Sequence, residues 1–183
     1  MEHKDEINEI KRIVDGETEL FSVFLNRYSR PLYLLIVQIV DCPEDAEELV
    51  QDTFLKAFRQ LKNFKGDCKF STWLYRIAYN TAVSAIRKKK HEYLYIEETM
   101  IERVSDEEAF SVAMPTDDEE RIQNLGKAIA LLSIEEKTLI SLFYYEEKSI
   151  EEIGIVLSMS ASNVKVRLHR TRKKICVLMN GFK

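Results

Sequence analysis

The strongest constraint on this chain is a block of charge near its middle. Residues 92–120 hold eleven Asp or Glu against one cation, Arg103, a net of −10, whereas residues 63–91 carry a net of +6 and residues 161–183 a net of +7. The acidic part from Tyr93 to Thr116 is poor in periodic apolar residues and ends in Met114, Pro115 and Thr116. It reads as a solvated linker in preference to a structured element, because so few apolar side chains cannot offset the entropy of ordering the chain. The expected organisation is a module over residues 1–92, a linker over 93–116 and a second module over 117–183. Five Gly and three Pro in 183 residues, with 45% hydrophobic content, favour compact all-α modules. A total charge of −4 thus conceals two basic surfaces of the kind that attract nucleic acid.

Several classes are excluded early. The apolar run Leu32–Val40 is interrupted at Gln38 and stops at Asp41, well short of a membrane span. The N-terminus, MEHKDEINEIKR, lacks the apolar core of a signal peptide, so a cytoplasmic location is expected. Cys42, Cys68 and Cys176 are isolated thiols without CxxC spacing and read as packing residues. Cys68 is set apart because Lys65 and Lys69 flank it, and neighbouring cations lower a thiol pKa. His3, His91 and His169 are scattered and accompany no nucleophile or metal cluster, so neither enzyme activity nor a cofactor is expected.

Periodicity supplies the elements of the first module. Leu20, Phe21, Phe24, Leu25 and Tyr28 share one helical face, and Pro31 is suited to the first turn of a following helix. Asp41, Cys42 and Pro43 form a break before a helix whose buried stripe is Ala46, Leu49, Val50, Thr53, Phe54, Ala57, Phe58 and Leu61. Glu44, Asp45, Glu47, Glu48, Gln51 and Asp52 are left mostly outside. Gly66 marks a turn, and Ser71 is placed to cap a helix from about Thr72 to Lys90. In the run NFKGDCKFSTWLYRIAYNTAVSAIRKKKH, aromatic rings suited to stacking on unpaired bases alternate with cations suited to a phosphate backbone.

The second module has room for four short helices. Ile122, Leu125, Ile129 and Leu132 mark one apolar face, and Leu139, Ile140, Leu142 and Phe143 another. Ser149 with Glu152 makes a capping box for a helix over Ile150–Leu157. A three-residue turn, Ser158–Met159–Ser160, leads into a helix with Val164, Leu168 and Ile175 inward and cationic groups around its other faces. This is helix-turn-helix spacing, with a second helix suited to the major groove, and the competing reading is a basic helical hairpin that touches no DNA.

These residues carry a family resemblance. DAEELVQDTFLKAF from Asp45 to Phe58, with FKGDCKFSTWLYRIAYNTAVSAIRKKK after it, resembles region 2 of the bacterial sigma-70 superfamily in its extracytoplasmic-function class. IEEIGIVLSMSASNVKVRLHRTRKKI resembles region 4 of the same class. The resemblance implies a factor that binds core RNA polymerase, directs it to specific promoters and helps open the DNA. It puts Leu49, Gln51, Asp52, Phe54 and Leu55 at or beside a coiled coil of the polymerase clamp, with the polymerase flap as a further contact. It assigns the minus-ten element to Lys65, Gly66, Asp67, Cys68, Lys69 and Phe70, where an extruded non-template base is captured with help from Asn80. Arg76 and Tyr79 are added to that surface, and Arg87 and Lys88 to its phosphate contacts. The minus-thirty-five element falls to Asn163, Lys165, Val166, Arg167, His169 and Arg170. An anti-sigma factor is the implied regulatory partner, holding the two domains until a signal arrives.

Some positions stay open at this level. Trp73, grouped with Ile77, is assigned to core packing in preference to base stacking, and Arg167 and Arg172 serve either phosphates or helix packing. Ser158 stands where the family often has Gly and needs a left-handed backbone there. Val166 stands where a small polar residue is usual. The alternatives are a helix-turn-helix repressor or activator, which leaves the Asp45–Phe58 helix without a purpose, and a regulatory protein that binds polymerase without opening promoters.

Overall fold

The structure, a computed structural model, describes residues 2–89 and 118–181, with side chains over 5–87 and 118–181. The linker expected over 93–116, the module boundaries beside it and the side chain of Lys88 lie outside the described residues. The described residues are helical and contain no strand. Helices α1 (Glu2–Val14), α2 (Phe21–Val40), α3 (Pro43–Gln60) and α4 (Phe70–Lys89) form one group. Helices α5 (Asp118–Ala130), α6 (Ile134–Ile140), α7 (Ile150–Leu157) and α8 (Ala161–Gly181) form the other. The all-α expectation is met. The groups also pack together, α4 on α7 and α2 on α6, and share a continuous apolar core.

The break between α2 and α3 follows from its three residues. Asp41 adopts a left-handed conformation, φ 57°, and its N–H closes on the Val37 carbonyl at 3.1 Å. Cys42 is extended and Pro43 opens α3, where its missing N–H removes no helical bond. Pro31 does not start a helix: α2 runs through it without interruption. The hydrogen bond that Pro31 cannot make is offset by burial of Phe24, Leu32, Leu35, Ile36 and Ile39 on both sides of it. In α3 the expected apolar stripe is buried except for Phe58, which is 39% exposed and packs edge-on to Phe21 at 5.0 Å.

Two helices are rotated relative to expectation. Helix α4 begins at Phe70, so Ser71 lies inside its first turn and does not cap it. Phe70, Leu74, Tyr75, Ala78 and Ala82 face the core, while Trp73 and Ile77 are half-buried beside it. In α5 the buried residues are Asn124 and Ala128, leaving Ile122 70% exposed and Leu125 exposed. Small inward side chains give little apolar signal yet allow close approach to the neighbouring α8.

Helix α1 was not anticipated. Ile10 and Ile13 are buried, and the largely buried Glu6 accepts from the Tyr28 hydroxyl at 2.5 Å and from Arg27 Nη1 at 3.1 Å. Burial raises the Tyr28 hydroxyl pKa above its usual range, and the Glu6 carboxylate adds to the shift. In the second group, capping boxes at Ser133–Glu136 and Ser149–Glu152 start α6 and α7. Helix α6 runs into a π-helical turn over Ser141–Tyr145.

Candidate nucleic-acid and polymerase interface

The segment expected to hold an extruded base, residues 65–70, joins a short 3-10 turn, Leu61–Asn63, to α4. Gly66 has φ 77°, a conformation that side-chain-bearing residues rarely adopt, and Ile7 of α1 lies 3.6 Å from where its Cβ would stand. Thus α1 supports the loop from beneath. Lys65, Asp67 and Lys69 are exposed, while Gly66 and Cys68 are half-buried. Phe70 corrects the expectation. It is wholly buried among Phe24 at 4.4 Å, Phe64 at 5.9 Å and Trp73 at 5.7 Å, so it anchors the loop and offers no ring to a base. Cys68 fits its reading as a packing residue and not the lowered pKa its flanking lysines suggested: burial pushes its thiol pKa up, Asp67 adds to this, and Arg76 opposes without prevailing.

Arg76, Asn80, Ser84 and Arg87 form an exposed stripe along α4. Asn80 stands ten residues beyond Phe70, about 15 Å along the helix axis, so loop and stripe lie at different levels of one surface. Tyr79 is half-buried beside the stripe. Its hydroxyl pKa is raised by burial and by Glu135, against the pull of Arg87 and Arg167.

The helix-turn-helix is built as its sequence indicates. Glu152 N–H donates to Ser149 Oγ at 3.2 Å, and the Glu152 carboxylate accepts from Ser149 N–H at 2.9 Å. Ser158 takes the left-handed conformation at φ 58°, and Ser160 Oγ accepts from Asn163 N–H at 3.3 Å at the start of α8. Gly154 was missed. A Cβ there would lie 2.7 Å from the Met159 carbonyl oxygen, so the tight turn needs glycine. The signal was present as an isolated Gly inside a helical pattern. Val164, Leu168 and Thr171 face inward, whereas Asn163, Lys165, Val166, His169 and Arg170 are exposed. Arg167 is tied to Glu135 of α6 by an ion pair. Arg172 lies over the Phe143 ring at 5.2 Å and the Tyr144 ring at 5.4 Å, which makes it a packing residue.

On α3 the set expected to face the polymerase divides by depth. Gln51, Asp52 and Leu55 are exposed, Leu55 to 53%, beside Glu47 and Glu48. Leu49 and Phe54 are buried and support this face from within.

A polar cluster that the sequence did not reveal joins the two groups next to the loop. Glu152 Oε1 accepts from Lys69 Nζ and from Thr72 Oγ1, each at 3.1 Å. Lys148 Nζ donates to Ser71 Oγ at 3.0 Å and lies 5.1 Å from the centre of the Tyr75 ring, and the buried Tyr75 hydroxyl donates to Glu146. Burial lowers the Lys148 pKa, with Glu152 and Glu146 opposing. Burial alone would raise the Glu152 carboxyl, but the Ser149 N–H and Lys69 outweigh it and hold the carboxyl below its usual value.

Fold and surfaces together define a helical protein with a helix-turn-helix, a cationic exposed face on its second helix and a separate acidic exposed face on α3. The family model for sigma-70 region 2 matches residues 24–92, and that for sigma-70, region 4, matches residues 122–175. The chain is 31% identical over 176 residues to the ECF RNA polymerase sigma factor SigW of Bacillus subtilis, covering 91% of this chain and 92% of that protein. It is 30% identical over 174 residues to the RNA polymerase sigma-H factor of Pseudomonas aeruginosa, covering 91% and 89%. Among solved structures it resembles CnrH in complex with the cytosolic domain of CnrY, with a TM-score of 0.69 at 20% identity over 96% of this chain and 97% of that one. It also resembles the sigma factor RpoE in complex with the anti-sigma factor NepR from Bartonella quintana, with a TM-score of 0.63 at 21% identity over 89% and 98%. The chain belongs to the extracytoplasmic-function sigma factors of the sigma-70 family and acts in transcription initiation.

Proposed function

We propose that this sigma factor docks on core RNA polymerase through the outer face of α3 and reads a promoter at two places. The exposed Gln51, Asp52 and Leu55 meet the clamp coiled coil, with Leu49 and Phe54 holding that face in shape. The loop Lys65–Lys69, set on the buried Phe70 and braced by α1, receives a base extruded from the minus-ten element. Unpairing a base costs on the order of a few kcal/mol, which a shaped pocket offsets by stacking and hydrogen bonds. Arg76, Asn80 and Arg87 then track the displaced strand. Asn163, Lys165, Val166, His169 and Arg170 enter the major groove of the minus-thirty-five element, while Arg167 sets the attitude of α8 through Glu135. The observation that carries this reading is that one chain exposes all three surfaces on separate helices.

Residues 1–92 are region 2, 93–116 the linker and 117–183 region 4 in this reading. The factor performs no covalent chemistry and works in the cytoplasm beside the polymerase and its flap. An anti-sigma factor is its regulator, a partner class named for the RpoE structure that shares this fold. The test is run-off transcription with added core enzyme on a random promoter library, followed by permanganate footprinting. Transcripts accompanied by reactive thymines near the start site are expected. Absence of transcription across the library overturns the assignment, and transcription without reactive thymines overturns the role in opening.

A further inference from the structure

Val166 occupies a position where an apolar side chain gains nothing from the fold. Helix α8 turns its buried side through Val164, Leu168 and Thr171. At about 100° per residue, position 166 lies opposite them, at the centre of the outward face. Val166 is 50% exposed and is bordered there by the exposed Ser162, Asn163, His169 and Arg170. A β-branched residue also slightly weakens an exposed helix.

The attitude of this face is fixed from behind. Arg167 pairs with Glu135, Lys174 Nζ lies 2.9 Å from Glu136 Oε2, and the Gly154–Met159 contact sets the turn before α8. The centre of the face is therefore held in one orientation. In the major groove the four bases present hydrogen-bonding edges and one apolar group, the thymine 5-methyl. A valine at the centre of the face can pair only with that group; against any other edge it strips water from a polar atom without replacing the hydrogen bond.

We infer that Val166 is a specificity-determining residue that reads a thymine methyl within the minus-thirty-five element. This rests on the proposed reading of that element by α8 and adds a base identity to it. The test uses holoenzyme reconstituted from the full chain and core polymerase. Sites are first selected from a promoter library randomised upstream of the minus-ten element. A thymine is expected at one selected position, and replacing it with deoxyuridine, which removes only the methyl, should weaken wild-type binding about three- to fivefold. Val166→Ser and Val166→Asn should lose both the thymine preference and the deoxyuridine effect, keep the preferences at neighbouring positions and unfold at the wild-type temperature. Equal wild-type binding to thymine and deoxyuridine, or variants that keep the thymine preference, overturns the inference while leaving the reading by α8 intact. A selection that enriches no upstream element overturns that reading and the inference with it.

Discussion

A Cβ added to Gly154 would lie 2.7 Å from the Met159 carbonyl oxygen, and the obstacle is backbone, which cannot swing aside as a long side chain can. Gly154→Ala is expected to destabilise the protein by about 1–3 kcal/mol through overpacking. Because the displaced turn aims α8, minus-thirty-five binding should fall as well; urea unfolding and DNA binding by holoenzyme measure the two effects. Ser158 presents the opposite case. Its left-handed backbone strains any residue with a Cβ, so Ser158→Gly should raise stability by up to about 1 kcal/mol in the same unfolding assay. The left-handed position was legible from the resemblance, which showed where a glycine is usual. The isolated Gly154 in a helical pattern signalled a demand there but not its cause, which arises between two segments and depends on how closely α7 approaches its own following turn.

At the scale of elements, α3 separates two roles that lie next to each other in sequence. Phe54 is buried and Leu55 is exposed. Phe54→Ala should cost about 3–5 kcal/mol in unfolding free energy. Leu55→Asp should leave the thermal transition in place while reducing affinity for core polymerase at least tenfold, measured by titration of labelled protein. The phase of α3 was legible because large apolar residues alternate cleanly with acids along it. Helices α4 and α5 were misphased where Ala78, Ala82 and Ala128 replace large apolar markers and Asn124 turns inward. Pro31 was misread because local stereochemistry favours a helix start there, whereas burial along α2 outweighs the missing hydrogen bond. The capping box of α7 and the turn into α8 are local patterns, so that part of the candidate site was readable directly.

On the scale of the whole molecule, a polar cluster joins the two helical groups beside their shared apolar core. No periodicity marks it, because Ser71, Thr72 and Tyr75 meet Glu146, Lys148 and Glu152 from far along the chain. Glu152 has a carboxyl pKa held below its ordinary value of 4.5. The part of this shift that comes from Lys69 and Thr72, across the groups, favours the packed arrangement above that ordinary value and is lost as pH falls through the lower folded value, while the Ser149 N–H part stays within α7. Energy transfer between labels on α3 and α5 should show the groups separating as pH is lowered through this acidic window, and Glu152→Gln should flatten the dependence.

The packed arrangement is also much shorter than the DNA it serves. Elements near minus ten and minus thirty-five are separated by about 25 base pairs, roughly 85 Å of duplex. Here Lys69, in the loop proposed to receive the base, is 3.1 Å from Glu152, on the first helix of the helix-turn-helix. On the proposed reading, the loop and α8 cannot occupy both elements until this contact parts. Only the open fraction of molecules is competent, and a partner that needs the open form binds with an apparent affinity reduced in proportion: if one molecule in a hundred is open, about a hundredfold. On the proposed reading of the promoter, Tyr75, Lys148 and Glu152 thus set how readily promoters are occupied at a given concentration.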